Sequence, residues 1–134
     1  MRERTGPRRT TWLVLGDGLG FLLITLVGFS NHDSLSGAML GRMLATFLPF
    51  FAAWLMVIPW LDLLSVAGMP WTDTLRRVLV GVLFAAPLGG FLRGFVLNTP
   101  ILPVFVLVMG GVTAVTMLAW RLLASRLLGE NPPA

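Results

Sequence analysis

The chain has 134 residues, of which 56% are hydrophobic and 12% are charged, and ten basic against six acidic residues give a net charge of +4. Soluble domains carry about a quarter charged residues, so this composition excludes an ordinary soluble domain; disordered, collagenous and coiled-coil chains need compositions that this chain lacks. The absence of cysteine excludes disulfides, iron–sulfur ligation and thiol catalysis, and the single histidine excludes a site with two imidazoles from one chain.

Four apolar runs follow a basic segment at residues 1–10. Each run has about the length that a helix needs to cross a hydrocarbon layer of ~30 Å. The predicted spans cover residues 11–29, 37–61, 75–97 and 101–124, and a polar tail follows at 125–134. Strands are excluded because four cannot close a barrel and lipid does not tolerate open sheet edges. The sequence therefore predicts an all-α membrane protein, a bundle of four transmembrane helices in one domain.

The first span contains an acidic residue, Asp17, about six residues from its start, or ~9 Å along a helix. An isolated carboxylate at that depth costs roughly 2.5–3.5 kcal/mol on insertion scales. We therefore expect Asp17 to face the bundle and to pair with Arg77 or Arg121, with Thr116 as another candidate at that level. One interpretation is that Asp17 and its partner form a structural ion pair. The alternative is that Asp17 is the protonatable carboxylate of a carrier.

The same span has a second interpretation. Arg8 and Arg9 before an apolar stretch match a twin-arginine export signal, which would be cleaved. Asp17 interrupts the apolar core that such a signal needs, and no small-x-small cleavage site follows Val27. The export signal is kept as the alternative to a first transmembrane span.

A polar cluster is predicted where span one ends. Arg42 and Arg93 lie within about 6–8 Å of the ends of their helices, beneath the loop that contains Asn31, His32 and Asp33. An ion pair between Asp33 and one of the arginines would fasten this loop over the bundle. Alternatively, the two arginines form the floor of a pocket for an anion or a headgroup, which the planar guanidinium suits. His32 would then relay a proton or sense pH.

Two prolines, Pro49 and Pro87, fall near the middle of spans two and three. Each removes one backbone hydrogen bond and frees a carbonyl one turn earlier, near Ala45 and Leu83. The sequence predicts a kink at each proline. Paired kinks that form a gate or a cation site are the alternative.

Small residues recur four positions apart in every span, a spacing that lets two helix backbones approach closely. The pairs are Gly16 and Gly20, Gly37 and Gly41, Gly90 and Gly94, and Gly110 and Ala114. We expect these residues to mediate helix packing; a passage lined by bare backbone is the alternative.

The ten basic residues, all arginines, flank the apolar runs instead of clustering on one polar face, so nucleic-acid binding is not expected. Eight of them precede span one, open span three or end span four, whereas residues 30–36 and 98–103 contain none. The positive-inside rule therefore predicts that both termini are cytoplasmic and that the protein spans the cytoplasmic membrane. The tryptophans near the same helix ends are typical of an interfacial belt: Trp12, Trp60, Trp71 and Trp120.

Together these residues resemble those of domain-of-unknown-function family 3054, a family of small bacterial and archaeal membrane proteins. The resemblance covers roughly residues 12–126, with Phe29 standing where many members have arginine. It depends on an early Asp in span one, Asp17, and on a Gly-Ser-His-Asp pattern around the end of that span, at Gly28, Ser30, His32 and Asp33. Span two contributes a Pro-Phe pair, Pro49 and Phe50, and span three contributes a late Arg, Arg93. Span four has an aromatic start, Phe105, and a Trp-Arg end, Trp120 and Arg121. The resemblance implies the four-helix membrane fold, and no activity is assigned to the family.

Three functions are compatible with the sequence. Phosphate-binding glycine loops, zinc-ligand spacings and nucleophile elbows are absent, so no catalytic residue, metal or cofactor is predicted. The favoured hypothesis is a non-enzymatic structural or accessory component, with the lipid bilayer and other membrane subunits or a second copy as partners. One alternative is a small transporter or channel for an ion or small anion that uses Asp17, Arg42 and Arg93. The other is a lipid-modifying enzyme, for which the chain offers only His32 and Asp33 near one surface.

Overall fold

The computed structural model describes residues 6–30, 37–64 and 69–127, which form four long α-helices. They are α1 (Pro7–Ser30), α2 (Gly37–Val57), α3 (Trp71–Leu97) and α4 (Pro103–Leu127), and a short 3-10 helix (Ile58–Leu61) continues α2. No strand occurs in these ranges. All four helices are long enough and apolar enough to cross a bilayer, so the predicted all-helical membrane fold is confirmed.

Several helix ends differ from the predicted spans, and prolines explain most of the differences. α1 begins at Pro7 instead of residue 11, because the first helical position does not need the N–H that proline lacks. α3 begins directly after Pro70 instead of at residue 75. Pro59 ends regular α-helix in span two at Val57, and the left-handed Asp62 (φ 51°) terminates the 3-10 turn.

The four helices form a ring in which each packs against its neighbours in the chain, and α1 closes the ring against α4. The most extensive packing is between α2 and α3. α1 begins, α2 ends, α3 begins and α4 ends at the same end of the bundle, which is called the terminal end below. The opposite end, where α1 leads to α2 and α3 to α4, is called the loop end.

The interior is built from layers that are one helical turn apart. Successive layers use residues four positions apart on each helix, a rise of about 6 Å. From the terminal end towards the loop end, the first layer is Asp17, Trp54 and Arg121, the second is Phe21, Phe50 and Met117, and the third is Thr25, Thr46 and Thr113, all of them buried. Polar residues therefore lie on both sides of an apolar middle layer.

Small residues allow the close helix contacts. A Cβ added at Gly90 would lie 2.6 Å from Val106 Cγ2, and one at Gly110 would lie 3.3 Å from Ala86 Cβ. Equivalent contacts are found at the other predicted positions in α1 and α3, where Gly16 lies against Trp120, Gly20 against Met117 and Gly94 against Ile101. Ala114 on α4 packs against the core.

Gly37 and Gly41 differ from the other pairs. An added Cβ at either position would meet no atom of the described residues within 4 Å, and both glycines are exposed. The expectation that this pair packs two helices of one chain together is therefore not met in the described part of the molecule. Its surface is available to a neighbour.

Both mid-span prolines lie inside uninterrupted helices. Pro49 is buried, whereas Pro87 is exposed on the surface of the bundle. Because the two prolines do not face a common interior, the alternative of a gate formed by paired kinks has no support in this arrangement.

Candidate functional site

The most deeply buried polar group in the described chain is a cluster of Asp17, Trp54 and Arg121, called the buried polar cluster below. Arg121 Nη2 donates a hydrogen bond of 2.7 Å to Asp17 Oδ2, and Trp54 Nε1 donates one of 3.0 Å to the same oxygen. The side chain of Asp17 is 0% exposed and that of Arg121 is 1% exposed. One carboxylate oxygen thus connects α1 with α2 and α4.

Of the predicted partners of Asp17, only Arg121 contacts it. Arg77 instead donates from Nη1 to the carbonyl of Leu61 at 2.7 Å and to Asp62 Oδ2 at 3.4 Å, which holds the 3-10 turn against α3. The methyl group of Thr116 lies over Gly20, and its hydroxyl makes no hydrogen bond to Asp17. Helix rotation explains both outcomes, because depth along a span does not determine which face a residue occupies.

Trp54 is the member of the cluster that sequence reasoning missed. Unlike the other tryptophans, it lies away from the ends of its span, and it is 0% exposed. A buried indole N–H needs an acceptor, and Asp17 is an acidic residue at a matching depth. A tryptophan and an acid at the same depth, both inside their spans and away from the ends, are the sequence signal that would have predicted this contact.

The cluster is not fully satisfied. Asp17 Oδ1 and two nitrogens of Arg121, Nε and Nη1, are buried and make no hydrogen bond to any part of the chain that the structure describes. The opposite charges of the two side chains nevertheless compensate each other, and among the described residues each contacts one charged partner. This geometry favours the structural ion pair over the carrier carboxylate.

A second contact between α1 and α4 lies beside the buried polar cluster, at the residues next to Asp17 and Arg121 in the sequence. The indole of Trp120 packs against Gly16, and Trp120 Nε1 donates to the carbonyl of Leu13 at 3.3 Å. Trp12 and Trp60, by contrast, are 62% and 89% exposed. Trp120 is therefore a packing residue as well as a member of the predicted interfacial belt.

At the loop end, all four helices line a cavity of about 400 Å³, called the loop-end pocket below. It contains two arginines, two threonines and several apolar side chains, and no acidic residue of the described chain lines it. The lining residues are Ile24, Thr25, Gly28, Phe29, Arg42, Thr46, Arg93, Phe105, Val108 and Met109.

Arg93 is held in this pocket by two neighbours. Its Nε donates to Thr46 Oγ1 at 2.9 Å, and its guanidinium carbon lies 4.6 Å from the centroid of the Phe105 ring. The two terminal nitrogens make no hydrogen bond to any described residue. Arg42 lies one turn before Thr46 on α2, is exposed, and likewise has no ion-pair partner among the described residues. The structure thus brings both predicted arginines to one pocket.

Three residues of the predicted cluster, Asn31, His32 and Asp33, lie outside the described residues. The ion pair between Asp33 and an arginine, and the proposed role of His32, therefore stay predictions. What the structure adds is a pocket at the loop end that Arg42 and Arg93 both line.

Comparison with known proteins gives one match. A family described as "Protein of unknown function (DUF3054)" matches residues 14–124. The matched range includes the buried polar cluster and every lining residue of the loop-end pocket. No curated protein and no solved structure matches the chain.

Proposed function

The chain belongs to the DUF3054 family of proteins of unknown function, and from this premise we propose that it is a non-enzymatic membrane protein that binds an anionic group in the loop-end pocket. The observation that supports the proposal is the presence of Arg42 and Arg93 in one pocket that no acidic residue of the described chain lines. Two like charges in a partly apolar cavity repel each other, and a bound phosphate or carboxylate compensates both.

The state of Arg93 supports binding rather than a purely structural role. Thr46 and Phe105 hold its Nε and the face of its guanidinium, so the terminal nitrogens are fixed in direction and remain available. A guanidinium with both terminal nitrogens available binds an oxyanion through two parallel hydrogen bonds. Because the side chain is already ordered, binding costs little further conformational entropy.

An accessory role in a membrane complex, or self-association, is the cellular context that we propose for this binding. Gly37 and Gly41 leave a shallow strip on the exposed face of α2, flanked by the exposed Leu40 and Leu44. Strips of small residues four apart allow a second transmembrane helix to approach closely. The strip lies at the loop end, on the same helix as Arg42.

Transport of a small anion is the second candidate. It is favoured by the alignment of the loop-end pocket with the buried polar cluster along one bundle axis, about 12 Å apart between Thr25 and Asp17. The layer of Phe21, Phe50 and Met117 lies between them and is closed, with each side chain at most 2% exposed. A transport function therefore requires this layer to open, which anion binding alone does not.

Thermal unfolding in detergent tests the proposal. Inorganic phosphate and phosphatidylglycerol are the two probes, one free and one in a lipid headgroup. A ligand at a hundred times its Kd stabilises a protein by about 2.7 kcal/mol, so we expect at least one probe to raise the melting temperature. Arg93→Gln should abolish the increase with phosphate and reduce the increase with phosphatidylglycerol, while the matched control Arg126→Gln, an exposed arginine at the terminal end, should retain both.

The probe that stabilises the protein identifies the source of the anion. An equal increase in Arg93→Gln and in the unchanged protein would contradict the proposal, as would no increase with either probe. Uptake of phosphate into proteoliposomes that both Asp17→Asn and Arg93→Ala abolish would favour transport. Uptake that neither variant affects would exclude a path through these residues.

A further inference from the structure

A groove at the terminal end, between α3 and the end of α2 with its 3-10 turn, has a polar half and an apolar half. The polar half is a cavity of about 390 Å³, and the apolar half is one of about 480 Å³. Both are lined by Trp60 and Leu61, so the two cavities adjoin. This terminal-end groove shares no lining residue with the loop-end pocket.

The polar half contains charges of both signs. Arg76, Arg77 and Asp73, all on the first turns of α3, line it. Asp73 makes no ion pair with either arginine, since the ion pairs of the described chain join Arg77 to Asp62 and Arg121 to Asp17. Arg77 uses Nη1 for its contacts with Leu61 and Asp62, which leaves the rest of its guanidinium for another acceptor.

The apolar half continues from these charges towards the middle of the bundle. Met56 and Val57 of α2 and Phe84 and Leu88 of α3 line it. From Arg76 to Leu88 the groove follows α3 for about 18 Å, which exceeds half the ~30 Å thickness of the hydrocarbon layer. The groove therefore has the length of an acyl chain in one leaflet, with its charged end where headgroups lie.

We propose that the terminal-end groove is a binding site for a single phospholipid of the ethanolamine type. Arg76 and Arg77 bind the phosphate, Asp73 accepts a hydrogen bond from the headgroup ammonium, and one acyl chain lies against Phe84 and Leu88. Basic pockets between transmembrane helices at a membrane surface recognise lipid headgroups in this way. Asp73 and Arg76 line one cavity without pairing with each other. An ethanolamine headgroup satisfies both, because its ammonium group pairs with the carboxylate and its phosphate pairs with the guanidinium.

Native mass spectrometry of the full chain, released from detergent micelles with added lipid, tests the proposal. The probes are phosphatidylethanolamine and phosphatidylglycerol with identical acyl chains. We expect a one-to-one adduct with phosphatidylethanolamine that is retained at least threefold more than the phosphatidylglycerol adduct. Arg76→Gln should reduce retention of both lipids, and Asp73→Asn should remove or invert the preference between them.

Two exposed positions keep the test independent of folding. Phe84→Ala should weaken retention of both lipids because it removes contact area for the acyl chain, and Phe84 is 63% exposed. Arg126→Gln, at the same end of the bundle but outside the groove, should leave retention unchanged. Retention that Arg76→Gln and Phe84→Ala both leave unchanged would overturn the proposal. An unchanged lipid preference in Asp73→Asn, or a protein dimer in place of the lipid adduct, would overturn it as well.

Discussion

Arg121 Nη2 lies 2.7 Å from Asp17 Oδ2, although 104 residues separate the two along the chain. The contact joins the first helix of the ring to the last, where the packing between helices is less extensive than between α2 and α3. Hydrocarbon provides no hydrophobic force between helices, so polar contacts and close packing hold them together. The buried polar cluster is therefore expected to be a main determinant of ring closure.

Removing one member of this pair should destabilise the protein strongly. Asp17→Leu or Arg121→Met alone leaves an uncompensated buried charge, and we expect a loss of about 3–5 kcal/mol in the free energy of unfolding. The double variant should recover part of that loss, because it removes the uncompensated charge but leaves the buried Nε1 of Trp54 without its acceptor. Unfolding in mixed micelles measures all three variants.

Arg126→Gln is the control for this cycle, since Arg126 is exposed and makes no ion pair within the described chain. Surface substitutions of this kind change stability by about 0.5 kcal/mol or less. If the double variant were as unstable as the sum of the two single variants, Asp17 and Arg121 would act independently and the pair would not close the ring.

The indole of Trp54 contributes a hydrogen bond separately from its packing. Trp54→Phe keeps an aromatic ring beside Phe21, whose centroid lies 6.2 Å away, but removes the 3.0 Å hydrogen bond to Asp17. Hydrogen bonds to charged groups contribute about 1.5–3 kcal/mol, so we expect a destabilisation in that range. Trp60→Phe, at an 89% exposed position, should have little effect in the same unfolding assay. Equal effects of the two substitutions would mean that the Nε1 donor is unimportant.

These contacts show which properties of the structure were predictable from the sequence. The spans follow from the apolar runs, because every backbone polar group in lipid must be satisfied within its own helix. Counting along a helix gives the depth of a residue, and depth alone identified Arg77 and Arg121 as partners of Asp17. Choosing between them requires knowing which helix is adjacent to α1 and how it is rotated. That choice depends on packing, which no single span specifies.

The loop-end pocket illustrates the same limit. The approach of Arg42 and Arg93 follows from their distances to the helix ends, and the structure places both on one cavity. The roles of Thr46 and Phe105 in holding Arg93 depend on the rotation of α2 and α4, for which one sequence carries no signal. Asn31, His32 and Asp33 lie outside the described residues, so that part of the prediction stays open.

Gly89 is a further packing residue that the search for small residues four apart did not identify. A Cβ added there would lie 2.6 Å from Phe50 Cδ1 and 3.0 Å from the Cα of Phe50, where the backbone has no room to move. We expect Gly89→Ala to destabilise the protein by about 1–3 kcal/mol, the usual effect of overpacking. Gly41→Ala, which meets no described atom within 4 Å, is the matched control.

The same pair of variants separates packing within one chain from association between chains. Gly41→Ala should leave the unfolding transition of the monomer unchanged but reduce the proportion of higher oligomers or of co-purified subunits, if the strip on α2 binds another helix. Light scattering in mild detergent measures this proportion. A monomer destabilised equally by both substitutions would show that Gly41 has intramolecular contacts.

Phe29 offers a test that adds a charge to the loop-end pocket instead of removing one. It lines the pocket with Arg42 and Arg93. Phe29→Arg places a third guanidinium in a cavity that no acidic residue of the described chain lines, and a bound oxyanion gains one more charged donor. We expect the protein to bind phosphate or phosphatidylglycerol about fivefold more tightly, which corresponds to ~1 kcal/mol.

Phe29→Leu, which keeps an apolar side chain, should leave the affinity unchanged. Calorimetric titration across a range of salt concentrations measures both variants. Added charge should also steepen the salt dependence of binding, since exposed charges are screened. If Phe29→Arg instead lowered the melting temperature equally with and without the anion, the third positive charge would only repel the other two, and the pocket would not be an anion site.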